Sequence, residues 1–281
     1  MMPPRAKKDI APTHAFEAEF EKLYDQNRKG LNVFYREGRA VQLEGAASHE
    51  AVAEYLKQYN LTPLPLGNGL TPVLVGINVM TDVIGCGCPS EFSEAWIAYF
   101  TVEGHPHKEA LSPAAISATF SHVITDNPIR QGVMAAKYGT SSSKASRILV
   151  SKNLDSVVIY DAVGREILSA SLGKHNKLTQ KTEREESDVI ARSLGVGTLK
   201  PVFYHLKSDK MREAVAFVSP DAARQAQAAN PEAGPIKHDN YKANDKTEMG
   251  GYLKKIAFIP LRWSASNQFK TVMSPALPLE K

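Results

Sequence analysis

Glu94 stands in Phe92-Ser-Glu-Ala-Trp-Ile, directly before the apolar run from Ala95 to Val102. A carboxylate carried into such a run is costly to bury without a partner. Glu94 therefore either orients a ligand and exchanges protons with it, or sits at a strand end in solvent or against an arginine. Two thiols and two imidazoles flank the same run, Cys86 and Cys88 ahead of it and His105 and His107 behind it. All four side chains suit zinc, but Cys-x-Cys and His-Pro-His are looser patterns than paired Cys-x-x-Cys units. An intervening strand would also hold the two pairs roughly 25 to 30 Å apart, at about 3.3 Å per residue, so no metal centre is expected. Gly195-Val-Gly-Thr-Leu-Lys200 lacks the first glycine of a P-loop and the third of a dinucleotide fingerprint. With no Gly-x-Ser-x-Gly elbow and no His-Glu-x-x-His helix, serine-hydrolase and zincin chemistries drop out as well.

The chain that must position Glu94 has 281 residues, 43% hydrophobic and 23% charged. That composition belongs to an ordinary folded protein. Its 34 basic and 30 acidic residues leave a formal +4, spread along the chain with no dense block, so no nucleic-acid partner is expected. A bridge between two cysteines one residue apart would be strained, which fits a reducing compartment. No apolar run reaches the roughly 18 to 20 residues of a membrane span, and the start, MMPPRAKKDIAPTH, lacks the apolar stretch of a secretory signal. The expectation is a cytoplasmic protein that does not engage a membrane.

Apolar spacings of three and four predict helices over His14 to Asn27 and Ser48 to Tyr59, the second with Ser48 as N-cap. Period-two alternation predicts a strand over Pro72 to Met80, and Ala95 to Val102 reads as a strand covered on both faces. Asn127 to Tyr138 is helical in pattern, with Gly139 as its C-cap. Ser146 to Ser151, Ser156 to Asp161 and Arg165 to Leu172 form a meander. Further short strands are predicted at Val202 to Leu206, Ala214 to Val218, Leu253 to Leu261 and Gln268 to Met273, with a short helix over Asp221 to Ala229 and a loop over Pro231 to Gly250. The fold class is α+β and β-rich: an antiparallel, barrel-like sheet from about Pro72 to Met273 enclosing a small-molecule cavity, with N-terminal helices packed outside. Residues 1–13 read as an arm, and 14–281 as one domain with a helical extension over 14–61.

Between residues 62 and 175 the chain resembles the acetoacetate decarboxylase superfamily. The likeness rests on the proline- and glycine-marked stretch Leu64 to Pro72, on Phe92-Ser93-Glu94 in place of a Tyr-Asn-Glu element, and on Met134-Ala-Ala-Lys-Tyr138-Gly139. It continues through Thr140 to Ala145, in place of Pro-Lys-Lys-Leu-Ala, to the hairpin strands from Val157 to Leu172. The resemblance implies a lysine that forms a Schiff base with a substrate carbonyl, as acetoacetate decarboxylase itself illustrates. It further implies a small oxo-acid as partner, homo-oligomers, and no metal or organic cofactor. The family's lysine pair falls on Ser142 and Ser143. Lys144, two residues beyond the first of them, keeps the same strand face and is the candidate nucleophile, with Glu94 as its catalytic partner. Ser142, Ser143, Tyr138 and Phe92 are the candidate substrate-binding residues. Two alternatives stay open: Lys144 is a solvent-facing lysine, and the protein binds a ligand or partner without catalysis.

Overall fold

The computed structural model describes residues 33–59, 61–84, 89–101, 117–138, 142–173, 176–177, 202–206, 214–218, 226–229, 232–273 and 277–278. In chain order these form β1 (Val33–Ser48), α1 (His49–Lys57), β2 (Leu70–Ile84), β3 (Phe92–Thr101), β4 (Ser117–Thr125), α2 (Pro128–Tyr138), β5 (Ser142–Val150), β6 (Ser156–Asp161) and β7 (Glu166–Ser171). The rest comprises β8 (Asn176–Lys177), β9 (Val202–Leu206), β10 (Ala214–Val218), β11 (Ala226–Ala229), β12 (Glu232–Pro235), β13 (Tyr241–Ala243), α3 (Glu248–Lys255), β14 (Ile259–Ser266), β15 (Gln268–Met273) and β16 (Leu277–Pro278). The strands join into one curled sheet whose main path runs β13-β7-β6-β5-β4-β3-β2-β1-β14-β12-β8, a β-rich half-barrel with helices against it.

Pairing is antiparallel except where β4 meets β5 and β9, both parallel to it. The parallel β4–β5 pair follows from its connection: a tight hairpin cannot join parallel strands, and α2 is the crossover between them. Two registers shape the part of the sheet that matters here. From Val73 opposite Tyr99 to Met80 opposite Phe92, β2 and β3 pair without interruption. β3 and β4 pair with a bulge beside Ala95 and Ile97, where β4 carries extra residues between Ser121 and Ile124. Within that bulge His122 takes a left-handed backbone with φ 49°.

One face of this sheet buries the core. Val41, Leu43, Val73, Val75, Ile77, Ala95, Ile97 and Tyr99 alternate onto it, and α1 and α3 add Val52, Leu56, Leu253 and Ile256. α1 begins as the sequence predicts, with Ser48 Oγ accepting from the Ala51 amide at 3.3 Å, which satisfies one of the orphan donors of its first turn. The other face carries Phe92, Glu94 and Trp96. Here Trp96 lies over Gly76 and meets Phe120 edge-on at 4.8 Å and 87°.

Several local expectations change. The helix over His14 to Asn27 and the cysteine and histidine pairs at 86, 88, 105 and 107 lie outside the described residues. β1 is a strand from Val33 to Ser48 paired with β2, β14 and β15, inside the stretch expected as a helical extension over 14–61 and ahead of the sheet start expected at Pro72; its glycines, alanines and charged residues offer little apolar alternation to read. The predicted helix over Asp221 to Ala229 is a strand at Ala226–Ala229, paired with β15; the tertiary pairing overrides the helical preference of alanine. The predicted strand starting at Leu253 is replaced by α3, because Met249, Tyr252, Leu253 and Ile256 are buried at helical spacing, and β14 starts only at Ile259. The segment read as a loop over Pro231 to Gly250 contains β12, β13 and the start of α3.

A methyl group at position 76 would overlap the Trp96 ring directly. Gly76→Ala is therefore expected to destabilise the protein by about 1 to 3 kcal/mol through overpacking, read as a lower urea midpoint at unchanged slope.

Candidate functional site

The site is built around β3, β4, α2 and β5. Glu94 is only 8% exposed and Arg130, on the first turn of α2, 3%. Arg130 donates to Glu94 Oε2 through Nε and lies equally close through Nη2, each at 3.0 Å. Its guanidinium sits over the Phe92 ring at 4.7 Å and the Tyr35 ring at 5.9 Å. A carboxylate in an otherwise apolar strand thus obtains the countercharge that burial demands, and the sequence left this arginine unread. Nothing in the local sequence pattern points to it, because Arg130 reaches Glu94 only through the way the start of α2 is tied to β3.

That tie is made of ordinary hydrogen bonds. Asn127 Oδ1 accepts from the Ile129 and Arg130 amides at 2.9 and 3.3 Å, with Pro128 at the first helical position, the arrangement that starts helices well. The Ser93 amide donates to Asp126 Oδ1 at 2.7 Å, and Thr125 Oγ1 donates to the Ser93 carbonyl at 2.8 Å. Asn127 Nδ2 donates to the Glu91 carbonyl at 3.2 Å. The start of α2 is thereby clamped to the residues on either side of Phe92.

The sheet register decides which side chains share a face with Glu94. Glu94 pairs with Thr125 across β3–β4, and Thr125 pairs with Lys144 across the parallel β4–β5 ladder. Register partners point to the same side of a sheet, so Glu94, Thr125 and Lys144 form a lateral row, with Glu94 and Lys144 about 10 Å apart at the backbone, two inter-strand spacings. Lys144 is exposed, where a Schiff-base amine would be enclosed. Ser142 shares its face two residues earlier; its Oγ is buried with no hydrogen-bond partner, and its carbonyl accepts from Gln131 Nε2 at 3.0 Å. Ser143 turns to the other face and donates to Glu248 Oε2 at 3.1 Å. Phe92 is buried beneath the guanidinium, and Tyr138 ends α2. The structure thus brings Glu94, Phe92, Ser142 and Lys144 to one face and sends Ser143 to the opposite one.

On that opposite face, at the bulge, lies a second polar cluster absent from the sequence reading. Tyr99 Oη and Ser121 Oγ are 2.8 Å apart, and Ser121 Oγ is 2.8 Å from His122 Nδ1. The imidazole stacks on Tyr252 at 4.1 Å and 21°, with Tyr55 beside both rings. Burial pushes the Tyr55, Tyr99 and Tyr252 phenols up and the His122 imidazole down to about 4. All four groups are neutral at pH 7. Among the described residues no group of three or more His, Cys, Asp or Glu side chains is placed to hold a metal ion, and no helix is long and apolar enough to cross a membrane.

Removing Arg130 alone strands a buried carboxylate. Arg130→Met should cost about 3 to 5 kcal/mol, and adding Glu94→Gln should recover most of the loss in urea unfolding. His122 predicts a pH effect. Its folded-state value near 4 lies below the ordinary 6.5, so between those limits the unfolded chain takes up a proton that the folded chain does not. Stability should fall by a few kcal/mol as the pH drops from about 6.5 to about 4, at up to about 1.4 kcal/mol per pH unit. His122→Asn, which tolerates the left-handed backbone, should flatten that part of the profile.

No sequence-family profile and no curated protein matches the chain. Solved structures do share its shape. A structure of acetoacetate decarboxylase aligns over 88% of this chain and 88% of its own, with a TM-score of 0.58 at 10% identity. The acetoacetate decarboxylase of Legionella pneumophila aligns over 88% and 87%, with a TM-score of 0.57 at 10% identity. The enduracididine biosynthesis enzyme MppR, complexed with the condensation product of pyruvate and imidazole 4-carboxaldehyde, aligns over 89% of each chain, with a TM-score of 0.53 at 9% identity. With its curled sheet, its β4–α2–β5 crossover and these alignments along most of its length, the chain has the acetoacetate decarboxylase-like fold.

Proposed function

We propose that this protein is an acetoacetate decarboxylase-like enzyme that acts on a small oxo-acid, with Lys144 as the amine and Glu94 as its acid–base partner. The observation that carries the reading is the row Glu94–Thr125–Lys144, which puts amine and carboxylate on one face of the sheet. The amine would attack the substrate carbonyl and lose water to form an imine. That imine then accepts the electron pair released by decarboxylation, or by the related aldol or dehydration step. Ser142, whose buried hydroxyl lacks a partner, would take a substrate oxygen, and the aromatic wall of Phe92 would shield the site. Homo-oligomers and a cytoplasmic setting belong to the same proposal.

A second reading, that the protein binds a ligand without catalysis, is favoured by two observations. Lys144 is exposed, whereas a Schiff-base lysine needs a desolvated or cationic setting to remain unprotonated. The Glu94 carboxylate is also engaged by Arg130.

Trapping separates the two. Incubation with pyruvate or imidazole 4-carboxaldehyde, the components of the MppR ligand, followed by borohydride reduction, should leave one mass adduct, mapped to Lys144 by peptide analysis and lost in Lys144→Ala. Adducts scattered over surface lysines, or none, would retire the Schiff-base reading in favour of binding alone.

A further inference from the structure

A recess of about 240 Å³ lies where the turn at His238–Asn240 leads into β13 and packs against the end of α3 and the start of β14. Its walls are Tyr241, Ala243, Leu253, Ala257, Phe258 and Ile259, and Lys254 and His238 complete its lining. Tyr241 and Phe258 meet edge-on at 5.8 Å and 78°, giving one side an aromatic surface. Ile259 leaves 49% of its surface in solvent beside this opening, and Leu261, two residues along the same face of β14, leaves 60%. The Tyr241 hydroxyl is buried with no hydrogen-bond partner, a group that calls for an explanation in a native fold.

The backbone around the recess is specific. Ala257 takes a left-handed φ of 52° just after α3, the position that helices usually fill with glycine. The Ala257 amide donates to the Lys254 carbonyl at 2.9 Å and the Phe258 amide to the Leu253 carbonyl at 3.0 Å, so the conformation is locked. An alanine there costs more than a glycine would, and what it adds is a methyl group in the wall of the recess. The polar rim carries two basic side chains beside carboxylates, Lys254 and His238, the latter 3.8 Å from Asp239. Lys254 reaches Asp245 at 3.3 Å, but both side chains are more than half exposed, and pairs of that kind are weak and readily exchanged.

We propose that this recess is a binding site for a small aromatic monocarboxylate, its ring against Tyr241, Phe258 and Ile259 and its carboxylate at Lys254. The volume suits a single ring with a short substituent. The apolar walls favour the ring, and an ammonium that can leave a solvent-screened partner favours an anionic head.

The test uses the full chain and benzoate as probe, followed by methyl NMR. Saturable shifts are expected at the Ala257, Leu253 and Ile259 methyls. Benzyl alcohol, with the same ring and no charge, should bind at least about fivefold more weakly, and so should acetate, which keeps the charge without the ring. Lys254→Gln should weaken benzoate about fivefold and leave benzyl alcohol unchanged, while Lys144→Ala should leave benzoate unaffected, separating this site from the proposed Schiff-base chemistry. Equal binding of benzoate and benzyl alcohol, an unchanged benzoate affinity in Lys254→Gln, or non-saturating shifts spread over the surface would each overturn the proposal.

Discussion

The ion pair between Glu94 and Arg130 anchors the part of the fold built from β3, β4, α2 and β5. An ionised carboxylate in a β-strand flanked by apolar residues would forfeit several kcal/mol of hydration, and Arg130 restores that loss only if α2 starts where it does. The placement of α2 is set in turn by Asp126 and Asn127 and their bonds to Ser93 and Glu91. The chain leaving α2 runs parallel to β4, a direction that a tight hairpin could not have given and that a crossover such as α2 allows. The β4–β5 register then brings Lys144 level with Glu94. One buried pair thus links strand sequence, helix placement and the composition of the candidate site.

The two faces of the central sheet divide the labour. On one, α1 and α3 cover an apolar core interrupted at the β4 bulge by the neutral Tyr99–Ser121–His122 chain. On the other, Phe92, Tyr35 and Arg130 surround Glu94, and Trp96 fills the space that Gly76 leaves. Ser142 and Ser143 are distributed between these faces, Ser142 with Lys144 and Ser143 with Glu248 on α3. α3 therefore bridges two regions: its first residue holds Ser143, and its last turn forms part of the recess around Tyr241.

The sequence made the β-rich class legible because alternation in Val73–Val79 and apolar density in Ala95–Val102 reflect burial that is real at β2 and β3. It placed Glu94 at a strand start, and period two put Lys144 on the face of Ser142 within its own strand; that this face is also that of Glu94 follows only from the sheet register. What it could not supply was the partner of Glu94. Arg130 is brought to the carboxylate by the placement of a helix, and single-chain periodicity carries no information on distance between elements. The same limit hid the His122 cluster, which joins residues from α1, β3, β4 and α3, and the recess, whose walls come from segments read as loop and strand. α3 was misread because Leu253 to Leu261 is apolar enough to suit either helix or strand. Burial at positions 249, 252, 253 and 256 shows the helical period only once Met249 and Tyr252 are included.

Lys144 brings the competing requirements of the site together. The backbone places its side chain on the face where Glu94, Ser142 and Phe92 gather, yet the side chain is exposed to solvent. Imine chemistry at this position therefore demands that solvent be displaced when the substrate arrives or when another surface closes over β5. Its neighbour Ser143 carries no charge and turns the other way. Arg130, the buried cation on that face, is already committed to Glu94. Under the proposed imine chemistry, enclosure of this side chain would have to come from the bound molecule or from an apposed surface, so reactivity and enclosure would rise and fall together.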